Sequence, residues 1–147
     1  MTKKTKKIIF FSILILVLAG ASVGYYFYNK GPVNVKNASP SATFNAREIY
    51  ELAITDSAAT NKKFTDKIIA VSGVVSSIEI NKENIVFIKL KTNRDGSLVN
   101  CKMEGQATAV KEQDSITLKG LYKQLGDAFP EMGILGDLYM ERCYIIK

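Results

Sequence analysis

Histidine is absent from this 147-residue sequence, and cysteine occurs only twice. Histidine is the side chain that most often serves as a general base near neutral pH and as a zinc ligand. Two cysteines alone cannot supply the four ligands of a structural zinc site. The sequence also offers no paired nucleophile and base, no phosphate-binding glycine loop and no set of metal ligands. It therefore predicts a protein that is not an enzyme and that carries no cofactor or metal.

The net positive charge is small over most of the chain. The formal net charge is +6, but four of the 20 basic residues, Lys3, Lys4, Lys6 and Lys7, lie at the N-terminus. The 16 basic residues that remain from residue 29 onward face 14 acidic ones, which leaves a charge of only +2. Proteins that bind nucleic acids draw much of their affinity from Lys and Arg contacts to phosphate. The charge of this region therefore gives no reason to expect a polyanion as partner.

The longest apolar run occupies residues 8–28 and contains no charged residue. Three tyrosines close it, and tyrosine favours the interface between lipid and water. About 20 apolar residues suffice to cross ~30 Å of hydrocarbon, and basic residues before such a segment favour a cytoplasmic N-terminus. We expect a basic cytoplasmic tail at 1–7 and a single transmembrane anchor at 8–28. The remaining chain then lies on the extracytoplasmic, periplasmic side of the cell membrane.

A cleaved signal peptide is the alternative to an anchor. Ala19-Gly20-Ala21 fits a small-x-small cleavage site, and a basic start followed by an apolar segment also begins a signal peptide. The apolar run continues beyond this site through Val23 and the tyrosines, which favours a retained anchor. Both interpretations stay open, and both export the rest of the chain.

A linker is predicted between the anchor and a single domain. Residues 29–43 contain two prolines, Gly31 and several Ser, Asn and Thr residues, but few large apolar side chains. The alternative is a partly ordered segment that lies on the domain. The domain covers residues 44–147, and roughly a hundred residues suffice for one hydrophobic core.

The domain begins with a helical pattern. Asn45 can accept a hydrogen bond from a free backbone N–H and Glu48 can reach back, as in a capping box. Apolar residues follow at helical spacing, so a helix is expected at about 45–54. Ala58-Ala59 either continues this helix or starts a second short one before Phe64.

From residue 66 the apolar residues recur at every second position, which is typical of strands that are buried on one face. The alternation slips around Gly73-Val74-Val75, and such a slip with a glycine indicates a bulge or a sharp bend in the first strand. A short helix, Gln106–Glu112, is expected between the third and fourth strands. A long loop at 124–136 precedes the fifth strand. The five strands are expected at about 67–80, 85–92, 97–103, 115–123 and 137–146.

This order of elements predicts a mainly β fold, a five-stranded Greek-key barrel of the OB type with a helix between its third and fourth strands. A bent first strand allows the sheet to close on itself and hide its edges. The third and fifth strands are neighbours in such a barrel, so Cys101 and Cys143 can meet if their side chains share a face. In an oxidising exported compartment two such cysteines usually form a disulfide. The alternative is two buried free thiols.

The domain also carries a series of short segments, namely Val71-Ser72-Gly73-Val74-Val75, Cys101, Leu118-Lys119-Gly120, Gly133-Ile134-Leu135-Gly136-Asp137-Leu138 and Cys143. In their order and spacing they resemble the tRNA-anti-like OB-fold family, a set of small bacterial proteins that often begin with a membrane segment. The resemblance covers about residues 45–147. It implies an OB barrel and implies little about function. Tyr122 stands where relatives often have another cysteine, and residues 123–132 look like an insertion.

OB folds bind their ligands on the face of the second and third strands and on the adjoining loops. On the second strand and its hairpin, an aromatic ring with nearby cations can stack a base and hold phosphates; the alternative is a solvated strand face. In the long loop, apolar side chains can contact a peptide or another partner; the alternative is a loop that plugs the barrel. The candidate ligand-binding residues are Phe87, Lys89, Lys91, Arg94, Phe129 and Met132.

Two functions stay open at this point. The first is a membrane-tethered, exported binding module for a protein, a peptide or another envelope component. The alternative is a single-stranded nucleic-acid-binding protein, a frequent role of OB folds. Fold alone does not establish that role, and nucleic acids are scarce outside the cytoplasm.

Overall fold

The structure, a computed structural model, divides into two compact units, residues 1–33 and 34–147. The first unit contains helix α1, Lys3–Asn29. Its 23 residues from Lys7 onward are long and apolar enough to cross a membrane, judged by length and composition, because a helix of that length extends over about 35 Å. The structure describes residues 3–29, 31, 33–105, 109–127, 129 and 132–146, with side chains from residue 7 onward.

The second unit is a β-barrel preceded by one short strand and two helices. Its elements in chain order are β1 (Ala42–Asn45), α2 (Ala46–Thr55), α3 (Ser57–Phe64), β2 (Ile68–Ile80), β3 (Val86–Lys91), β4 (Leu98–Met103), β5 (Ser115–Leu125) and β6 (Leu138–Ile145).

Helix α2 starts where the sequence predicts it. The backbone N–H of Arg47 donates to Asn45 Oδ1 at 3.1 Å, and the backbone N–H of Asn45 donates to Glu48 Oε2 at 2.9 Å. These two bonds satisfy backbone groups that a helix start otherwise leaves unpaired. Ile49 and Tyr50 are fully buried and attach the helix to the barrel core. Helix α3 is separate from α2, which is the second of the two predicted alternatives, a short helix before Phe64.

The barrel closes in the strand order β2–β3–β4–β6–β5, with β5 pairing again with β2. The neighbours β4 and β6 run parallel, and the other pairs in the ring are antiparallel. This is the topology of an OB fold, and each strand lies within two residues of its predicted bounds. Ile88, Leu90, Val99 and Leu118 point inward and are completely buried in the common core.

A bend in β2 makes this closure possible. The first part of β2 pairs with β5, and the part after the bend pairs with β3. The register shifts between Val75 and Ser77, at the end of the segment Gly73-Val74-Val75 where the sequence predicts the irregularity. Gly73 itself lies against α2, since a Cβ there would lie 3.0 Å from the Ala46 Cβ. The glycine lets the start of α2 approach the strand closely.

Two predictions differ from the structure in detail. Residues 34–43, expected within the linker 29–43, belong to the barrel unit. Strand β1 pairs in parallel with β2, from Ala42 opposite Ile69 to Asn45 opposite Ser72, and Val35 is buried. Ala38 packs beside Val35, and Ala42 packs against the main core. Lys119 Nζ adds hydrogen bonds to the carbonyl oxygens of residues 36 and 38, at 2.8 and 3.1 Å.

The second difference concerns the helix expected at Gln106–Glu112. Residues 106–108 of it lie outside the described residues, and residues 109–112 are not helical. The segment turns instead, since the backbone N–H of Lys111 donates to Asp114 Oδ2 at 2.8 Å. Asp114 and Gln113 then exchange backbone hydrogen bonds with Val75, so the turn is attached to the bend of β2.

Candidate functional site

A groove of about 490 Å³ lies on the outer face of the barrel, across β3, β4, β6 and the end of β5. Successive side chains of a strand point to opposite faces of the sheet. Ile88, Cys101 and Met140 point into the core, so the residues beside them in sequence point outward. The outward side chains that matter for the groove are Phe87, Asn100, Lys102, Lys123, Tyr139 and Glu141.

The strand register determines how these side chains are arranged. Phe87 on β3 lies directly opposite Lys102 on β4. Asn100 on β4 pairs with Tyr139 on β6, and Tyr139 pairs with Gln124 on β5. Asn100 and Lys102 therefore form the floor of the groove, with an aromatic ring on the strand to either side. Aromatic walls around a few polar groups are typical of ligand sites.

The charges of the groove are nearly balanced. Lys123 Nζ lies 2.6 Å from Asp66 Oδ1 and 3.7 Å from Glu141 Oε2. The hydrogen bond to Asp66 raises the pKa of Lys123. Lys102 is the second cation, and among the described residues it has no ion-pair partner. The groove thus presents two ammonium groups and two carboxylates. Both carboxylates pair with Lys123.

Asn100 carries an unsatisfied hydrogen-bond acceptor. Its Oδ1 is buried and has no hydrogen-bond partner among the described residues. A buried polar atom without a partner costs about 1–3 kcal/mol, and native structures contain few of them. The atom belongs to a residue that lines the groove. This oxygen is therefore closed off beneath the lining of the groove, and none of the described residues satisfies it.

Tyr139 forms an exposed wall of the groove, with 43% of its surface accessible. Gly126 supports its ring from below, because a Cβ at Gly126 would lie 2.9 Å from Tyr139 Cε2. The chain just before Tyr139 is held as well. Tyr50 donates to the carbonyl oxygen of Gly136 at 2.9 Å, and Asp137 Oδ1 accepts from the backbone N–H of Leu98 at 2.9 Å. The start of β6 is thus fixed to α2 and β4.

Of the six residues predicted to bind a ligand, the groove contains only Phe87. Lys89 is paired with Glu79, Nζ to Oε1 at 2.6 Å. Lys91 Nζ donates to Gln113 Oε1 at 3.0 Å and lines a second groove of about 500 Å³ together with Arg47. The cations predicted to act with Phe87 therefore face other partners.

Arg94 pairs with a carboxylate of α2 from the turn between β3 and β4. Its Nε donates to Glu51 Oε1 at 2.9 Å, which connects the turn to α2. This hydrogen bond lowers the pKa of Glu51 and raises that of Arg94. The turn contains Asp95-Gly96, and Gly96 has a φ of +80°, a conformation that glycine adopts without strain.

The long loop exposes its apolar residues. Phe129 is 47% and Met132 is 69% accessible, so neither side chain plugs the barrel. Phe129 and Ile134 pair through backbone hydrogen bonds of 2.8 and 3.1 Å. Residues 128, 130 and 131 of this loop lie outside the described residues. Within the described residues no group of three or more His, Cys, Asp or Glu side chains is placed to hold a metal ion.

Cys101 and Cys143 lie on the neighbouring strands β4 and β6, as predicted. Both are free thiols and both are fully buried. The interaction with the Cys101 side chain, together with burial, raises the pKa of Cys143. Gly120 leaves room for this pair, because a Cβ there would lie 2.5 Å from Cys143 Sγ. The predicted disulfide stays a prediction, and its two sulfur atoms are placed as neighbours.

Sequence reasoning missed five of the groove residues, namely Asn100, Lys102, Lys123, Tyr139 and Glu141. A signal for four of them was present. Once the third and fifth strands are taken as neighbours with Cys101 and Met140 inward, the residues that alternate with these two must point outward together. The pairing of Lys123 with Asp66 had no such signal, since Asp66 lies in the connection between α3 and β2.

The tRNA_anti-like family model matches residues 1–130 of the chain. Among curated proteins, none matches the sequence. Similar solved structures include an asparaginyl-tRNA synthetase of Entamoeba histolytica in complex with asparaginyl-adenylate, with a TM-score of 0.40, 14% identity, and coverage of 74% of this chain and 24% of the synthetase. A putative aspartyl-tRNA synthetase from Leishmania major Friedlin has a TM-score of 0.41 and 14% identity, over 86% of this chain and 25% of its own. This chain spans about a quarter of either synthetase, and similarity at this level bears on neither ligand nor activity.

Proposed function

The chain belongs to the tRNA_anti-like family, and from this premise we propose that it is a membrane-anchored OB-fold binding module. Its groove across β3, β4 and β6 binds a protein, a peptide or another envelope component of low charge. The proposal assigns the module no catalytic step.

The observation that carries this proposal is the balance of charge around two aromatic rings. Lys123 is held by Asp66 and Glu141, and the neighbouring Lys89 is held by Glu79. A ligand with many phosphates would have to compete with these carboxylates, and it would find few cations free to replace its counterions. A peptide or a similar polar chain needs apolar walls and a few hydrogen-bonding groups, and Phe87 and Tyr139 with the polar floor supply both.

The proposed location rests on α1. Its length and composition suit a membrane span or a signal sequence. Basic residues before it favour a cytoplasmic N-terminus and an extracytoplasmic barrel. Peptides and other envelope components are available on that side of the membrane, whereas nucleic acids are scarce there.

Binding of single-stranded nucleic acid is the second candidate function, and one observation favours it. Phe87 lies opposite Lys102, and Lys102 has no ion-pair partner among the described residues. An aromatic ring can stack a base while a free ammonium group contacts phosphate. The first candidate is preferred because the groove provides one such pair of an aromatic ring and a free ammonium group. Proteins that bind single strands use several aromatic rings along a positively charged groove, so that successive bases can stack.

Site-specific crosslinking in living cells tests the two candidates. A photoreactive phenylalanine derivative replaces Tyr139, and the same derivative replaces Leu52 on α2 as the control, since the two residues are similarly exposed, at 43% and 46%. We expect adducts with proteins, peptides or envelope polymers at position 139 and none at position 52. Adducts with nucleic acid at 139 would favour the second candidate, and equal labelling at both positions would contradict a binding role for the groove.

A further inference from the structure

We infer that a second copy of this chain is a partner of the groove, and that two copies associate reciprocally, each placing a hairpin arm against the groove of the other. The arm is the part of the long loop from Gly126 to Asp137. This inference rests on the proposed function, because it names a partner for the same groove.

The arm is held as a hairpin by backbone hydrogen bonds. The backbone N–H of Gly126 donates to the carbonyl oxygen of Asp137 at 2.7 Å, and that of Phe129 donates to the carbonyl oxygen of Ile134 at 2.8 Å. Three apolar side chains of the arm are nevertheless exposed, since Phe129 is 47%, Ile134 is 49% and Met132 is 69% accessible. Exposed apolar side chains that lie together, rather than singly, indicate a contact surface.

The arm begins and ends at the edge of the groove. Gln124 and Tyr139 line the groove, two residues before Gly126 and two residues after Asp137. The three exposed apolar side chains of the arm do not line the groove of their own chain. A two-fold dimer needs a surface patch that is complementary to itself. An exposed apolar arm beside an aromatic groove supplies both halves of such a patch.

Charge complementarity argues for a second copy as the occupant. Lys102 in the groove and Asp127 at the base of the arm both lack an ion-pair partner among the described residues. In a reciprocal dimer the arm of each copy brings the carboxylate that Lys102 of the other copy lacks. The same arm brings apolar side chains to Phe87 and Tyr139. The two-fold axis repeats each of these contacts, so every favourable pair counts twice.

Charge reversal tests this contact in the full chain in detergent micelles, with association measured by energy transfer between two differently labelled populations. Lys102→Glu opposes two carboxylates at each contact, and Asp127→Lys opposes two ammonium groups. We expect either variant alone to associate about tenfold more weakly than the unaltered chain, since two attractive pairs become repulsive.

A mixture of the two variants is the decisive sample. Its mixed dimer pairs Glu with Lys at one contact and Lys102 with Asp127 at the other, so we expect association to recover to that of the unaltered chain. The mixture contains only the two variant chains, so a folding defect cannot produce this recovery. Association that is equal in all samples would show contact through α1 or another surface and would overturn the inference. A mixture that stays as weak as the single variants would also overturn it.

Met132→Ser tests the apolar part of the arm, with Ile80→Ser as the matched control. The two side chains are similarly exposed, at 69% and 66%, and Ile80 lies at the end of β2, outside the groove. We expect Met132→Ser to weaken association about tenfold, because two copies lose an apolar contact, and Ile80→Ser to leave it unchanged. Equal effects of the two changes would overturn the inference. Both variants should keep the melting temperature of the unaltered chain, since neither side chain is buried.

Photocrosslinking identifies what the arm contacts. A photoreactive phenylalanine derivative replaces Phe129 in one copy, which is mixed with an isotope-labelled copy so that mass spectrometry distinguishes bonds between copies from bonds within a copy. Adducts between copies at segments that contain Lys102 or Tyr139 support the inference, and adducts only within a copy overturn it. If the copies do not associate while the derivative at position 139 captures other molecules in cells, the inference fails and the proposed function stands. If position 139 captures nothing either, both fail.

Discussion

Replacement of Gly73 by valine should destabilise the barrel strongly. Gly73 lies in β2 where the start of α2 crosses it, and an added Cβ would lie 3.0 Å from the Ala46 Cβ and 3.3 Å from the Leu90 Cβ. Ala46 and Leu90 are both fully buried, and neither Cβ can swing away as the end of a long side chain can. The helix start or the strand must therefore shift.

The magnitude follows from two opposing contributions. An added side chain restricts the unfolded chain and favours folding by about 0.4–1 kcal/mol where the native backbone accepts it. Overpacking of a well-packed core costs about 1–3 kcal/mol, occasionally more. Alanine at position 73 should then cost about 1 kcal/mol, and valine, with two further methyl groups, about 3 kcal/mol. For a domain of this size the valine variant should melt roughly 10 °C lower.

Thermal unfolding of the full chain in detergent micelles, followed by near-UV circular dichroism of the tyrosines, measures this loss. Gly31→Val is the control, because nothing lies within 4 Å of a Cβ at Gly31, and it should change the stability by less than about 0.5 kcal/mol. If Gly73→Val melts with the control, the close approach of α2 to β2 is not a real constraint, and our account of how the helix is positioned is wrong.

Three further predictions address the cysteines, the groove and the buried tyrosine. In protein isolated from an oxidising compartment, Cys101→Ser should lower the melting temperature more than it does in reduced protein, since a bridge to Cys143 would contribute about 4 kcal/mol by loop closure; equal losses in both states count against the bridge. Gly126→Ala should displace the Tyr139 ring, because the new Cβ would lie 2.9 Å from Tyr139 Cε2, and unchanged Tyr139 ring-proton shifts in the NMR spectrum would refute this contact. Burial raises the pKa of Tyr122 to about 12. Because the pKa of Tyr122 in the folded protein lies above the ordinary value of 10.0, the unfolded chain loses this phenol proton first as the pH rises. The contribution of Tyr122 to folding stability should therefore be complete below pH 10 and should be lost between pH 10 and 12. An ultraviolet titration in which every tyrosine of the folded protein ionises near pH 10 would contradict this prediction.

The barrel could be predicted from the sequence because the patterns that specify its strands and turns lie within short stretches of the chain. Alternation in residues such as Ile88 and Leu90 marks which face of a strand is inward, and the Asp-Gly of the turn before β4 marks where the chain reverses. The bounds of the five strands follow from such patterns. The docking of residues 34–43 depends on the burial of Val35 and on pairing with a strand some 27 residues further along, and no local pattern encodes either contact.

The binding residues were harder to predict because their availability depends on distant partners. Lys89 and Arg94 look free in the sequence, yet Glu79 and Glu51 hold them in the folded protein. Glu51 lies on α2, and only the crossing of that helix over the barrel brings it to Arg94. Conversely, Asn100 looks ordinary in the sequence. Its Oδ1 becomes distinctive only when the strands around it close and remove its access to other donors.

The attachment of β1 to β2 has a mechanical consequence. The chain enters the barrel through four register pairs that run parallel to β2, reinforced just before the strand by the backbone N–H of Ser41, which donates to the carbonyl oxygen of Ile68 at 2.8 Å. A pull along the strand axis from the N-terminal side loads these hydrogen bonds together in shear, whereas a pull at right angles would open them one after another. Tension applied to the chain before β1 is thus spread across a ladder of hydrogen bonds before it reaches the strands that carry the groove.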